Sequence, residues 1–280
     1  LVSVIIPTCN RAPFLSDAIQ SVLKQTYRDF ELIVVDDGST DNSREIVAAF
    51  GARVRYFFQE NKGVSAARNA GIRAAQGAFL AFLDSDDLWH KKKLAVQIES
   101  MQSDPLVKIC YTNEIWLRNG THLNQKKKHQ KFSGWIFEPM LPLCLISASS
   151  ILLAREVLDR VGVFDENLPV CEDYDLWLRL ALSYPITFID QPLITKRGGH
   201  PDQLSQKYWG MDRFRVQVLE RLLAHPDLKP EQHAAVISEI RNKARILILG
   251  ATKNSNQEVR EFYRKLLAKY ENLKELKGNI

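Results

Sequence analysis

Phe30-Glu31-Leu32-Ile33-Val34-Val35-Asp36-Asp37-Gly38-Ser39-Thr40-Asp41 runs from an apolar, β-branched stretch straight into a polar turn with a glycine and acids at 36, 37 and 41. Such a stretch bounded by turn residues reads as a buried strand at residues 30–35, and the polar residues after it open a helix over residues 40–50. The alternation extends both ways. Upstream, residues 2–6 are β-rich, and Phe14, Leu15, Ala18, Ile19, Val22 and Leu23 line one helical face. Downstream come a strand at 54–58, a helix at 64–75 and a strand at 79–83. Four βα units in series predict a parallel sheet with helices on both faces. Ligands of such sheets bind beyond the carboxyl ends of the strands, so the polar residues that follow each strand are the candidates for function.

After residue 106 the pattern is less regular, with short strands near Ile109 and Ile151, tryptophans at 116 and 135, a helix at 174–183 and a strand at 186–194. From Tyr208 onward it is nearly all helical; Val216, Leu219, Leu222, Leu223, Ile237, Ile240, Ile246 and Ile248 mark packing faces, as do Phe262, Tyr263, Leu266, Leu267 and Tyr270 in the tail. At 280 residues and 45% hydrophobic content the chain can bury a sizeable core. Its net charge of +5 is modest and well mixed, so nucleic acid is not an implied partner. The densest basic run, Lys126-Lys127-Lys128-His129 with Lys131, reads first as a solvated loop and second as a contact for an acidic membrane surface or substrate. Cys9, Cys110, Cys144 and Cys171 are scattered, which argues against a thiolate zinc site or a disulfide framework and fits a reducing cytoplasm. No secretion signal or membrane span is read, so any membrane contact would be peripheral, at the inner face.

Two adjacent carboxylates at a strand's end, Asp36 and Asp37, repel each other and point to a ligand. One can accept the ring N–H of a uracil-type base or ribose hydroxyls, while Ser39 or Thr40 caps the next helix; the plainer reading is a capped turn with a spare acid. A second cluster, Asp84-Ser85-Asp86-Asp87, follows the strand at 79–83. Its clustered acids would repel strongly without a hard divalent cation such as Mg²⁺ or Mn²⁺, which prefers oxygen ligands and bridges phosphates.

Together these features resemble glycosyltransferase family 2, over residues 1 to about 205. The resemblance is carried by Val4-Ile5-Ile6-Pro7-Thr8-Cys9-Asn10-Arg11, by Gln25 through Asp41, by Asn61-Lys62-Gly63-Val64-Ser65-Ala66-Ala67-Arg68-Asn69-Ala70-Gly71, and by Asp84-Ser85-Asp86-Asp87, which is similar to the family's DxD motif. It implies an α/β GT-A fold, a Rossmann-like, mostly parallel sheet flanked by helices. Residues 1–105 would be the nucleotide-sugar half, 106–205 the acceptor half and 206–280 a helical extension. By the same resemblance Pro7, Thr8 and Asn10 would line the nucleotide, Asp37 or Asp36 would meet the base, and Arg68 would hold the nucleotide end of the donor. Asp84 would face the ribose, Ser85 would join the donor contacts, and Asp86 would bind the metal, Mn²⁺ or Mg²⁺.

Val170-Cys171-Glu172-Asp173-Tyr174-Asp175-Leu176-Trp177 resembles the family's ED motif, which makes Asp173 the expected base and Glu172 an acceptor-side neighbour. Inverting transfer needs a carboxylate that takes the acceptor's proton as its oxygen attacks. Trp177 is a candidate sugar platform on the acceptor side, although its helical spacing from Leu180 reads more readily as core. In Arg197-Gly198-Gly199-His200-Pro201-Asp202-Gln203-Leu204-Ser205, His200 suits a second metal ligand, and Gln203 and Ser205 are candidates for phosphate. The expected partners are a nucleotide sugar, with a UDP-sugar favoured, and a saccharide, lipid-linked or other hydroxyl acceptor. Rival readings are a nucleotidyltransferase and a catalytically silent nucleotide-sugar-binding protein of the same fold. A dinucleotide oxidoreductase is disfavoured because no GxGxxG follows the first strand.

Overall fold

The computed structural model describes residues 1–200, 203 and 207–275, with side chains to residue 271. Strand β1 (Val2–Thr8) is its hub, parallel to β2 (Phe30–Asp37) on one side and to β4 (Phe79–Phe82) on the other, and β2 is parallel to β3 (Arg55–Gln59). All of β1 is buried, as expected for a strand covered on both faces. Helix α1 (Ala12–Leu23) buries Leu15, Ala18, Ile19 and Val22, the expected stripe. After the short α2 (Ser43–Ala48), α3 (Val64–Ala74) lies so close to β1 that a Cβ on Gly71 would meet Ile5 Cγ2 at 2.4 Å, so only glycine fits there.

Beyond β4 the sheet becomes mixed. Strand β8 (Ile151–Ala154) runs antiparallel to β4, β6 (Ile109–Arg118) antiparallel to β8, and β9 (Thr187–Gly198) parallel to β6. The two-residue β5 (Leu88–Trp89) pairs antiparallel with β9, and β7 (Thr121–Leu123) forms a hairpin on β6. The nine strands of the described residues lie in the order β3-β2-β1-β4-β8-β6-β9-β5, with β7 beside β6. Both β6 and β9 are longer than the short apolar runs at 109 and 186–194 suggest, because polar residues continue them past the core: Arg197 and Gly198 belong to β9, not to a loop. Their register slips between Thr112 and Glu114, a bulge that Asn113 Nδ2 pins by donating to Asp190 Oδ1 at 2.8 Å.

Helix α4 (Lys93–Ser103) completes the fourth βα unit, and α5 (Phe137–Met140), α6 (Glu156–Val161) and α7 (Glu172–Ser183) follow. The chain closes on α8 (Asp212–Leu222), α9 (Pro230–Lys253) and α10 (Gln257–Glu275). Their apolar faces join the same core, and buried Lys243 fastens them to the sheet-bearing part by donating to the Pro142 carbonyl at 2.8 Å while pairing with Asp212 and Glu239. Among the described residues no helix is long and apolar enough to cross a membrane.

Candidate active site

The carboxyl end of β2 turns both of its acids inward. Asp36 accepts from the Ser39 N–H and the Tyr56 hydroxyl, each at 2.8 Å. Asp37 accepts from Gln59 Nε2 at 2.7 Å and from the N–H groups of Lys62 and Gly63 at 2.8 Å. It therefore orders the loop into α3, whose first residue follows Gly63 at φ 93°. That spends much of the Asp37 carboxylate on protein, a cost that the sequence does not reveal. Asn10, in the left-handed region at φ 53°, stitches the β1 and β2 loops together: its Oδ1 accepts from Thr40 N at 2.8 Å, and its own N–H donates to Ser39 Oγ at 2.9 Å. Pro7 and Thr8 are buried at the end of β1, and the Thr8 hydroxyl has no hydrogen-bond partner among the described residues, nor does that of Ser65 in the first turn of α3. Buried polar groups rarely stay unpaired, so this end of the sheet retains hydrogen-bonding capacity for a ligand.

Arg68 joins the two acidic motifs. It is nearly inaccessible, and it donates from Nη2 to Asp84 Oδ1 at 2.8 Å and from Nη1 to Glu172 Oε1 at 2.5 Å, with its guanidinium 5.2 Å from the Phe164 ring centroid. The sheet thus brings together residues 68, 84 and 172, which the chain separates widely. In the Asp84-Ser85-Asp86-Asp87 turn, Asp84 and Asp86 stay partly exposed while Ser85 and Asp87 are buried. Asp87 is an anchor: it accepts from Ser149 Oγ at 2.7 Å and from the Arg197 N–H at 3.1 Å, and burial pushes its carboxyl well up. Ser149 also accepts from the Asp84 N–H at 3.1 Å, so one hydroxyl holds both ends of the turn.

At the start of α7 the residue before the motif, Cys171, sits in the left-handed region at φ 64°, φ/ψ space that a non-glycine residue enters at some cost. That entry splits the adjacent acids. Glu172 is buried against Arg68, and burial pushes its carboxyl up to about 7 despite the guanidinium, with the Asp173 charge adding to the rise. Glu172 is therefore held as a partner of Arg68. Asp173 remains accessible, accepting from the Tyr174 N–H at 2.7 Å, and lies close enough to the Cys144 thiol to help burial raise that group. Trp177 is fully buried, edge-on to Phe164 with centroids 5.8 Å apart, so it presents no face to a sugar and is corrected to a core residue.

Lys196, absent from any motif, is the main addition. It lies on β9 opposite Trp116, on the sheet face shared with Glu114, and the carboxylates of Glu114, Asp87, Asp84 and Asp173 outweigh burial and hold its ammonium firmly charged. No local pattern marks it; only the pairing of β9 with β6 places it there. Its neighbour Arg197 donates from Nε to the Asp86 carbonyl at 2.6 Å and from Nη1 to Asp17 at 2.9 Å.

Asp86 Oδ2 and His200 Nε2 meet at 2.8 Å, and the His200 ring leans on Phe14 with centroids 5.0 Å apart. Among the described residues no group of three or more His, Cys, Asp or Glu side chains converges on a point. The Asp86–His200 pair nonetheless fits a divalent ion that takes its remaining ligands from a diphosphate and water, and an imidazole ligand suits Mn²⁺ better than Mg²⁺. Gln203 Oε1 accepts from the Gly199 N–H at 2.9 Å and braces this turn; Ser205 lies outside the described residues.

A family model described as glycosyl transferase family 2 matches residues 3–162. The chain is 34% identical over 217 residues to the Escherichia coli UDP-Glc:alpha-D-GlcNAc-diphosphoundecaprenol beta-1,3-glucosyltransferase WfgD, covering 77% of this chain and 81% of that one. It spans about a third of the length of an uncharacterized Rickettsia conorii glycosyltransferase, with 36% identity over 74% of this chain and 35% of that one. In fold it is similar to Staphylococcus aureus TarS 1–349 in complex with UDP-GlcNAc, with a TM-score of 0.68 at 19% identity over 94% of this chain and 91% of that one. It is similar also to the mannosyltransferase PcManGT from Pyrobaculum calidifontis in complex with GDP-Man and Mn²⁺, with a TM-score of 0.61 at 20% identity over 96% and 84% of the two chains.

Proposed function

The chain belongs to glycosyltransferase family 2, and on that premise we propose that it transfers a sugar from a nucleotide-diphosphate donor to a hydroxyl acceptor with inversion, using Asp173 as base. The observation that carries this reading is the Arg68 clamp, which sets the donor-side turn at Asp84 and the Glu172-Asp173 step of α7 in one cluster and leaves Asp173 accessible. In the proposed reaction Asp173 takes the proton of the acceptor hydroxyl as its oxygen bonds to the anomeric carbon. The bond from that carbon to the diphosphate breaks on the opposite face, and the nucleoside diphosphate leaves with the electron pair.

Each remaining group has a task in that step. The stitched loops around Asn10 and Asp37, with the unpaired Thr8 hydroxyl, form a cradle suited to the nucleoside. Lys196, among the carboxylates, supplies fixed positive charge near the step in which the departing diphosphate gains negative charge. Asp86 and His200 would hold a divalent ion, whose chemistry when bound is neutralisation of the diphosphate leaving group.

UDP is favoured as the nucleotide because WfgD is named for UDP-Glc and TarS was captured with UDP-GlcNAc. A lipid-linked acceptor, and with it peripheral contact with a membrane, gains support from the diphosphoundecaprenol acceptor in the name of WfgD. The test is a panel of nucleotide sugars scored for nucleoside diphosphate release with Mn²⁺ or Mg²⁺, with and without chelator. A UDP-sugar with Mn²⁺ should lead; pyrophosphate release instead would reassign the chain as a nucleotidyltransferase, and binding without turnover on any acceptor as a silent binding protein.

A further inference from the structure

The basic run at 126–131 splits in two in the folded chain. Lys131 turns inward, its side chain 3% exposed, where Nζ donates to the Leu145 carbonyl at 3.0 Å, pairs with Glu114 Oε1 at 3.5 Å and stands 5.2 Å from the Tyr111 ring centroid. Lys126 and Lys127 stay outside, on the wall of a cleft of about 430 Å³ that includes Asn113, His129 and Asp190. Neither ammonium has an acidic partner among the described residues, and the one acid of the cleft, Asp190, is engaged by Asn113. His129, held edge-on to Trp116 with centroids 4.7 Å apart, is biased towards its neutral form by burial and then by the adjoining Lys128. The wall thus sets two ammonium groups against the single carboxylate of Asp190, on a backbone fixed where Lys126 N–H and O both bond to His129, at 3.1 and 2.8 Å.

Lys131, which lines the cleft, links it to residues packed near the reaction centre. Lys131 reaches Leu145, next to Cys144, whose thiol feels the Asp173 carboxylate, and Glu114 accepts from Ser147 Oγ at 2.6 Å while acting on Lys196. Residues 144–147 thus adjoin both the Lys131 side chain that lines the cleft and the surroundings of the proposed base. We infer that the cleft is an acceptor subsite for an anionic group, a phosphate or diphosphate carried by the acceptor at a distance from its reacting hydroxyl. This rests on the glycosyl-transfer reading for the word acceptor, but the anion site itself stands on the cleft alone.

The test is calorimetric titration of inorganic pyrophosphate into the full chain in metal-free buffer, with saturating UDP to fill the donor cleft. The wild type should bind pyrophosphate beside UDP. Lys126→Gln/Lys127→Gln should weaken that binding by about tenfold, as two exposed charge pairs permit, and added salt should weaken it further. Lys128→Gln, with one charge lost beside the cleft but not on its wall, should change affinity much less. Pyrophosphate binding that UDP abolishes, equal weakening per lysine in all variants, or binding to phosphatidylglycerol vesicles that needs Lys126 and Lys127 without any pyrophosphate binding would each overturn the subsite. Failure of UDP to bind the wild type even when Mn²⁺ is added in a separate titration would instead count against the donor reading, and the pyrophosphate titration without UDP, with its Lys126 and Lys127 dependence, then decides the subsite by itself.

Discussion

Replacing Arg68 by methionine keeps most of its volume and removes the charge that two acids share. Arg68 and Glu172 are 4% and 7% exposed in their side chains, whereas Asp84 is 34% exposed, so the loss falls chiefly on Glu172. Removing one partner of a buried ion pair costs about 3–5 kcal/mol, and a solvated carboxylate such as Asp84 adds at most about 1. For a chain of this size that is roughly 10 °C in melting temperature.

The cost should depend on pH. Burial already raises Glu172 to about 7, and without Arg68 it rises further, so the folded variant holds a proton there that the unfolded chain has released. Stability of the variant should therefore fall as pH climbs from about 4.5 through the raised value, and the gap to wild type should widen between pH 5 and pH 8. Urea unfolding of wild type, Arg68→Met and Arg68→Met/Glu172→Gln at both pH values reads this directly, and the double variant should recover most of the loss at pH 8. A loss below about 1 kcal/mol at pH 8, or one that Glu172→Gln does not relieve, would refute the clamp.

Lys93 is fully buried over the Trp89 ring at 4.0 Å, with only Gln97 as side-chain hydrogen-bond partner among the described residues, and burial lowers it to about 7. The unfolded state then binds the extra proton from about pH 7 to 10.5, so wild-type stability should rise with pH across that window, and Lys93→Met should flatten the rise in denaturant titrations; equal slopes would contradict it. Trp177→Phe should lower the melting temperature while leaving acceptor KM unchanged, and a raised KM without a stability loss would restore the platform role. Asp37→Ala should cost about 1–3 kcal/mol in stability as well as donor affinity, because it orphans the Lys62 and Gly63 N–H groups. An unchanged melting curve would mean that Asp37 serves the ligand alone.

The parallel half of the sheet and its loops were legible because each strand there is a local apolar run ended by turn residues, and α1 buries the very stripe its spacing marks. The mixed half was not, since β5 is two residues long and exists only through its pairing with β9, while β6 and β9 continue as strands through polar residues that serve the site. Asp84, Asp86, Glu172, Asp173, Arg68 and His200 do gather, as their motifs imply. Which member of each acidic pair faces inward was unreadable, because burial of Glu172 and Asp87 depends on Arg68, Ser149 and Arg197 arriving from distant segments. Lys196 escaped for the same reason, whereas the helical spacing of Trp177 from Leu180 did favour the core position it takes against Phe164.

Asp173→Asn, assayed for kcat with the donor and acceptor that give the highest transfer, tests the account at its centre. Asparagine preserves shape but cannot take the acceptor's proton, so kcat should fall by about 10² to 10⁴ while donor affinity and metal response hold. Asp175→Asn is the neighbouring control; it loses the buried pair with Arg179 at 2.8 Å and should lower stability while keeping kcat. Near-wild-type transfer by Asp173→Asn would contradict the assignment, and with Glu172→Gln inactive it would move the base by one residue.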